Sequence, residues 1–219
     1  MRHPGKFTLA ALALTALSAC GNGSADEQGG GVFGALSQSA RQVAASRGAP
    51  DQPAAPPKSP AEAASEALRV NPAPLIQAGF ESLDRTQVMA MTGQNGAMRT
   101  YMTPSEEALI LRGGMLVGTR GLGHDLSVAE PGTEALIRAG ASGSGTRVMR
   151  YYTGDGLERP LQFACATAPG PKPGVTVESC EGHGVRFQNS YIAQGGRIMV
   201  SRQWIGPELG YVTIQTLRP

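Results

Sequence analysis

Alternation dominates the second half of this chain. From about Leu75 onward, short runs in which apolar and polar residues take turns are separated by turn residues, the period-two pattern of strands with one buried face. Residues 87–92 (QVMAMT) lead through the turn Gly93-Gln94-Asn95-Gly96 into residues 97–103 (AMRTYMT), and Asn-Gly between two such runs signals a hairpin. Residues 107–112 (EALILR) then lead through Gly113-Gly114 into residues 115–120 (MLVGTR), a second hairpin. After a Gly-rich interval with a short helical stretch at 133–139, residues 146–153 (TRVMRYYT) open another series. Residues 159–167 and 175–181 flank a proline-rich turn, and Val185, Phe187 and Tyr191 alternate with Arg186, Gln188 and Ser190. Gly195-Gly196 turns into residues 197–205, and residues 211–217 end the series. Some ten strands joined by tight turns predict a mainly β fold, an antiparallel meander curling into an open barrel or sandwich.

The first half has two other patterns. Residues 7–17 (FTLAALALTAL) form an apolar run of eleven residues behind the basic Arg2 and Lys6. A membrane-spanning helix needs about 20 residues, so this run predicts a cleaved secretory signal. The sequence Leu17-Ser18-Ala19-Cys20 closing it resembles the lipobox of bacterial lipoproteins. The resemblance implies that the Cys20 thiol takes a diacylglycerol and becomes the new N-terminus; an ordinary secretory signal with a chance cysteine is the alternative. Several acyl chains of the palmitate class, each contributing about 0.8 kcal/mol per buried methylene, would hold the protein on a membrane. Gly21, where an aspartate would favour inner-membrane retention, points to the outer membrane and a periplasm-facing protein. Residues 20–58 are rich in Gly, Ala, Ser, Gln and Pro and read as a lipidated flexible tether, with a weak helix around 33–47. Ser59, Pro60 and Glu62 match the N-cap, N1 and N3 positions of a helix start, and Asn71-Pro72-Ala73-Pro74 stops that helix. The expected organisation is a signal peptide over 1–19, the tether over 20–58 and a β-rich domain over 59–219.

Charge changes the picture once the signal is set aside. Removing Arg2 and Lys6 lowers Lys+Arg from 19 to 17 against 17 acids, so the mature chain is formally neutral. No Lys/Arg cluster suggests a nucleic-acid surface. With Cys20 carrying lipid, Cys165 and Cys180 remain as an even pair, placed symmetrically about the turn 168–174 (APGPKPG). A hairpin through that turn brings them opposite one another, and an oxidising periplasm favours a disulfide. The parity of the flanking residues is a complication. Cys165 shares a strand face with Leu161 and Phe163, but Cys180 shares one with Thr176 and Glu178, which suggests a bulge or a loose register. Two buried thiols are one rival reading. A metal site is another, with His183 the only nearby histidine.

Two stretches, residues 118–126 (GTRGLGHDL) and 203–211 (QWIGPELGY), carry a family resemblance. Together with the lipobox, NPAPL at 71–75, GQNG at 93–96 and LRGG at 111–114, they make the chain similar to the YjbF/GfcB-type group 4 capsule polysaccharide lipoproteins. The resemblance runs from about Asn71 to the C-terminus, with the tether its least family-like part. It implies an outer-membrane-anchored, non-enzymatic β-protein that assists exopolysaccharide or capsule assembly or export, binding partner proteins or the polymer. It implies no known enzymatic reaction, and neither a cofactor nor a metal is expected.

The candidate binding patch is Arg120, His124, Asp125, Trp204 and Tyr211. In a catalytic reading Asp125 orients His124 as a base for a polysaccharide-modifying hydrolase, although no nucleophile stands beside them in sequence. In a structural reading an Arg120–Asp125 salt bridge fixes a Gly-rich strand exit, and an intermediate reading has the two hydrogen-bonding a sugar. Trp204 and Tyr211 would stack on sugar rings or anchor the last hairpin in the core. Glu106 and Glu107, adjacent and so pointing to opposite strand faces, read as a solvated pair. The methionines at 89, 91, 98 and 102 read as core filler, and no phosphate-binding glycine motif is present. A further alternative is a carrier holding lipid or glycan inside the curled sheet.

Overall fold

The computed structural model describes residues 58–152 and 157–219. The chain divides into two units, Met1–Ala55 and Pro56–Pro219, and the described residues belong to the second. The expected signal peptide, lipidated Cys20, tether and weak helix at 33–47 lie outside the described residues, apart from residue 58 at the end of the expected tether.

Helix α1, Pro60–Val70, begins as its sequence dictates. The Ser59 hydroxyl accepts a hydrogen bond from the Glu62 amide while the Glu62 carboxylate accepts one from the Ser59 amide, a complete capping box with proline at the first turn. Its C-terminus is satisfied from the far end of the chain. Arg218 donates to the carbonyls of Leu68, at 2.5 Å, and of Asn71, placing a cation on the negative end of the helix dipole.

The remaining elements are β1 (Leu75–Phe80), β2 (Arg85–Asn95), β3 (Met98–Met102), β4 (Ala108–Arg112), β5 (Met115–Arg120) and β6 (Leu126–Pro131), then helix α2 (Glu134–Ala139). They continue with β7 (Gly143–Tyr152), β8 (Glu158–Pro169), β9 (Val175–Gly182), β10 (Val185–Gln194), β11 (Arg197–Gly206) and β12 (Gly210–Arg218). Among the described residues these make one twelve-stranded sheet in the order β5-β4-β3-β2-β1-β12-β11-β10-β9-β8-β7-β6. Every recorded pairing is antiparallel, and β1 zips to β12. The two edges approach each other: a Cβ on Gly118 of β5 would sit 3.1 Å from the Ser127 carbonyl of β6. The result is a nearly closed barrel.

Two-residue turns close several of the hairpins. Gly113-Gly114, His183-Gly184 and Gly195-Gly196 all take positive φ at both positions, the geometry whose twist matches that of paired strands. The hairpin expected around 93–96 is displaced. β2 runs on to Asn95, with a bulge between Met91 and Gly93, and Gly96 and Ala97 form the loop. β6 escaped the sequence reading because a bulge between Leu126 and Val128 breaks its alternation and a proline ends it, a residue tolerated on an edge strand.

The interior is filled. Phe187 and Trp204 stack at 4.4 Å with a 15° interplanar angle, and Phe163 meets both edge-on at 5.0 and 5.8 Å. Ile76, Phe80, Met89, Leu109, Val212 and Ile214 extend this core. A second cluster of Met115, Val117, Ile137, Tyr191 and Ile198 includes Ile137 of α2. Met89 is core as expected, but Met98, at the hairpin tip, is exposed.

Cys165 and Cys180 are directly opposed on β8 and β9 and joined by a disulfide, with Cα atoms 4.1 Å apart. The register from Ala164↔Glu181 to Pro169↔Thr176 runs without a shift, so the expected bulge is not there. The parity conflict dissolves because Thr176 and Glu178 point inward with Cys180, and Glu178 is buried with a partner. Glu107 also departs from expectation. It is not solvated but accepts from Arg85 at 2.7 Å and from Gln87 at 3.1 Å, while its neighbour Glu106 turns outward at φ +64°.

Candidate functional site

An up-and-down barrel gathers its turns at two mouths. At the first, the β5–β6 connection, the C-terminal end of β7 and the β11–β12 turn surround a cleft of about 430 Å3. Its walls include His124, Asp125, Tyr151, Tyr152, Pro207 and Glu208.

Each wall has a local cause. Gly121 and Gly123 adopt φ of +77° and +87°, so the chain turns sharply out of β5. Asp125 staples that turn: Oδ1 accepts from the Thr119 hydroxyl at 2.8 Å and from the Leu122 amide at 3.2 Å, and Oδ2 accepts from the Gly121 amide at 2.8 Å. On the opposite wall the Leu209 side chain is buried, and the Leu209 carbonyl accepts from the Ser82 hydroxyl at 2.8 Å. The Tyr151 hydroxyl donates to the Ile205 carbonyl at 2.5 Å. Burial pushes its pKa upward against the pull of Arg147, so it stays a neutral donor. Gly206 is glycine because a Cβ there would come within 3.2 Å of the Tyr151 ring. Tyr152 stands beside this packed tyrosine, 65% exposed.

The five sequence candidates divide between two places. His124 and Asp125 line the cleft, and Arg120 lies at the adjacent strand end. Arg120 does not pair with Asp125; its guanidinium turns to the carbonyls of Thr119, Leu126 and Ser127. The loop is fixed as expected, but by aspartate-to-backbone bonds. Because the Asp125 oxygens are taken up by the loop, they do not orient the exposed His124 imidazole, which has no carboxylate partner among the described residues. Trp204 and Tyr211 sit elsewhere, on β11 and β12. Trp204 is buried against Phe187, and one face of Tyr211 is covered by the Arg202 guanidinium, 3.4 Å from the ring centroid. Burial leaves Trp204 no free ring face, while Tyr211 is half-buried and borders a shallow outer depression beside the disulfide.

Both take part in holding the sheet together. The β10–β11 ladder stops at Ser190↔Arg202. Beyond it the Trp204 amide donates to the Asn189 side-chain oxygen at 2.7 Å, and the Gln188 amide to the Tyr211 hydroxyl at 3.0 Å. Side chains thus replace the missing ladder bonds.

Sequence reasoning missed Tyr152 and Glu208 as cleft residues. Tyr152 ends a strand directly before the turn-rich TGDG, a signal that was legible; Glu208 joins the cleft only through the β11–β12 turn. A second omission is an ionic core. Arg147 and Glu178, from β7 and β9, meet at 2.7 Å with Asn189, Tyr191 and Thr133 around them, all buried.

The site is thus an aromatic-edged cleft at one mouth of a filled barrel. The chain belongs to the family described as group 4 capsule polysaccharide lipoprotein gfcB, YjbF, whose sequence model matches residues 38–217. The match begins earlier than the Asn71 expected from motifs and takes in part of the segment expected to be a tether. In fold the chain is similar to the hypothetical lipoprotein YmcC from Escherichia coli (K12), at 14% identity and a TM-score of 0.56, covering 89% of this chain and 98% of that one. At that identity the likeness establishes the architecture. A comparison with curated proteins finds no match. The chain is thus a capsule-polysaccharide-associated lipoprotein with a mainly β, nearly closed barrel.

Proposed function

We propose that this protein is a non-enzymatic accessory factor in exopolysaccharide or capsule assembly or export, anchored through Cys20 in the outer membrane and facing the periplasm. Its first mouth is the surface on which polymer or an export protein docks. The observation that carries this reading is the fate of the Asp125 carboxylate. It is consumed by Thr119, Gly121 and Leu122, so the cleft presents His124, Tyr152 and Glu208 as contact groups and lacks an oriented base. The packed interior also disfavours a carrier, which needs an apolar cavity inside the sheet. An exposed tyrosine beside polar side chains suits a saccharide, whose ring offers an apolar face and a rim of hydroxyls.

The test is a photo-crosslinking amino acid placed at Tyr152 in a polysaccharide-producing strain. The expected adduct contains polymer or an export protein, and deleting the gene is expected to lower surface polysaccharide. Unchanged polysaccharide output in the deletion strain would overturn the proposal.

A further inference from the structure

The opposite mouth has different chemistry. There the β2–β3, β4–β5 and β10–β11 turns and α2 surround a cleft of about 520 Å3. Four arginines line it, Arg99, Arg112, Arg138 and Arg197, against one acidic side chain, Glu134.

The four are not equivalent. Arg138 is committed to the scaffold: it donates to the carbonyls of Arg112, Gly113 and Gly196 at 2.6, 2.9 and 2.8 Å and to Glu134 at 2.6 Å. Arg112 shares the same Glu134 carboxylate. Burial would raise the Glu134 pKa, but both guanidiniums hold it below the usual range, so it stays ionised and neutralises one of two charges. Arg99 and Arg197 have no ion pair or side-chain hydrogen bond among the described residues. Arg99 is the more telling. It shares a face of β3 with buried Tyr101 and stands opposite buried Leu111, so it occupies an inward position, where alternation calls for an apolar residue.

The cleft is also built in advance of any ligand. The Ile198 amide donates to the Gly113 carbonyl at 3.1 Å, and Gly114 passes so close that a Cβ would lie 2.0 Å from the Ile198 carbonyl. With Arg138 bridging the same two turns, the walls carrying Arg112 and Arg197 are held in place.

We infer that this arginine-lined mouth is a binding site for an anionic saccharide segment, with Arg99 and Arg197 gripping its carboxylates. A planar guanidinium matches a carboxylate through two parallel hydrogen bonds, and the volume lies in the range of small-ligand clefts, roughly 300–1,000 Å3. The choice of a saccharide rests on the polysaccharide reading above; the choice of an anionic one rests on the arginines. The site is separate from the His124 mouth, so the two can fail independently.

Titration calorimetry of the detergent-solubilised full-length lipoprotein tests this with tetragalacturonate, its carboxyl-reduced counterpart, inorganic phosphate and phosphatidylglycerol vesicles. Tetragalacturonate is expected to bind and to weaken with added salt, while the reduced form binds far less. Arg99→Gln and Arg197→Gln should each weaken it about tenfold. Both side chains are unpaired, so thermal melts of the variants should match the wild type, and Arg186→Gln on the outer surface should bind normally. Binding by wild type and the double variant alike would overturn the site while leaving the polysaccharide function standing. Binding of phosphate or vesicles without tetragalacturonate would overturn the saccharide assignment, as would absence of binding by any probe.

Discussion

Arg147 and Glu178 form a salt bridge inside the barrel, with the Arg147 Nη2 atom 2.7 Å from the Glu178 Oε2 atom and both side chains almost wholly shielded from water. The pair is completed by donors from two other elements. Thr133 donates to one carboxylate oxygen, and Asn189 donates to the other at 2.8 Å. The Tyr191 hydroxyl joins at 3.1 Å. Two charges removed from water stabilise only when every remaining donor and acceptor is met, and here β7, β9, β10 and the start of α2 supply them.

Removing one partner strands the other in the interior. Glu178→Gln is expected to destabilise the fold by about 3–5 kcal/mol. Replacing Arg147 and Glu178 together with methionine and leucine should cost less than the sum of the single changes. Denaturant melts of the two singles and the double measure the coupling, and strict additivity would refute the pairing.

The same carboxylate sets a pH response. Burial alone would raise the Glu178 pKa, but Arg147 and the hydrogen bonds from Thr133 and Asn189 hold it below the ordinary glutamate value. A group depressed in the folded state contributes stability that is complete above the unfolded pKa, about 4.3, and is lost as pH falls through the folded one. The thermal midpoint should therefore be level from neutrality to about pH 4.5 and decline below it. Glu178→Gln should flatten that acid limb; an unaltered slope would contradict the assignment.

Cys165 and Cys180 close a loop with a sequence separation of 15. In the chain-entropy account such a crosslink contributes roughly 3 kcal/mol. Cys165→Ala with Cys180→Ala should accordingly lower the melting temperature by roughly 6–12 °C. Mass spectra before and after reduction of the wild type should differ by two protons.

Gly114 and Gly196 allow a paired comparison. Both take positive φ, yet a Cβ at Gly114 meets the Ile198 carbonyl at 2.0 Å while one at Gly196 meets nothing within 4 Å. Gly196→Ala should cost only the left-handed backbone penalty, about 1–2 kcal/mol. Gly114→Ala should cost clearly more, because the β4–β5 turn must lift from β11. Equal losses in urea melts would show that the contact is unimportant.

The anchor is testable without the fold. Cys20→Ala should release the protein from washed membranes into the soluble periplasmic fraction, and retention on the membrane would refute the lipid attachment.

Local pattern carried much of this structure. The capping box of Ser59 and Glu62, the paired-glycine turns at 113–114 and 195–196 and the opposition of Cys165 to Cys180 depend on neighbours a few residues apart, so the sequence displays them directly. The family is equally legible, since the motifs at 118–126 and 203–211 stand in one chain with the others at 71–75, 93–96 and 111–114. The first mouth was half legible: His124 and Asp125 were found and a loop-fixing role for Asp125 was read, but its partners were not. Whether Asp125 serves a histidine or a loop depends on where three backbone and hydroxyl donors converge.

Sequence alone determined that this chain is a β meander with helix starts, turns and a crosslink at stated positions, because those features answer to short-range sterics and hydrogen bonding. Only the tertiary structure decided which polar residues turn inward. Glu178 reads as a surface residue by its chemistry, and Arg99 by its charge. Each takes an inward position because a partner strand or a barrel mouth, brought there by curling of the whole sheet, sets its surroundings. Trp204 was claimed by the core for the same reason, its stacking partner Phe187 lying one strand away across the point where the ladder opens.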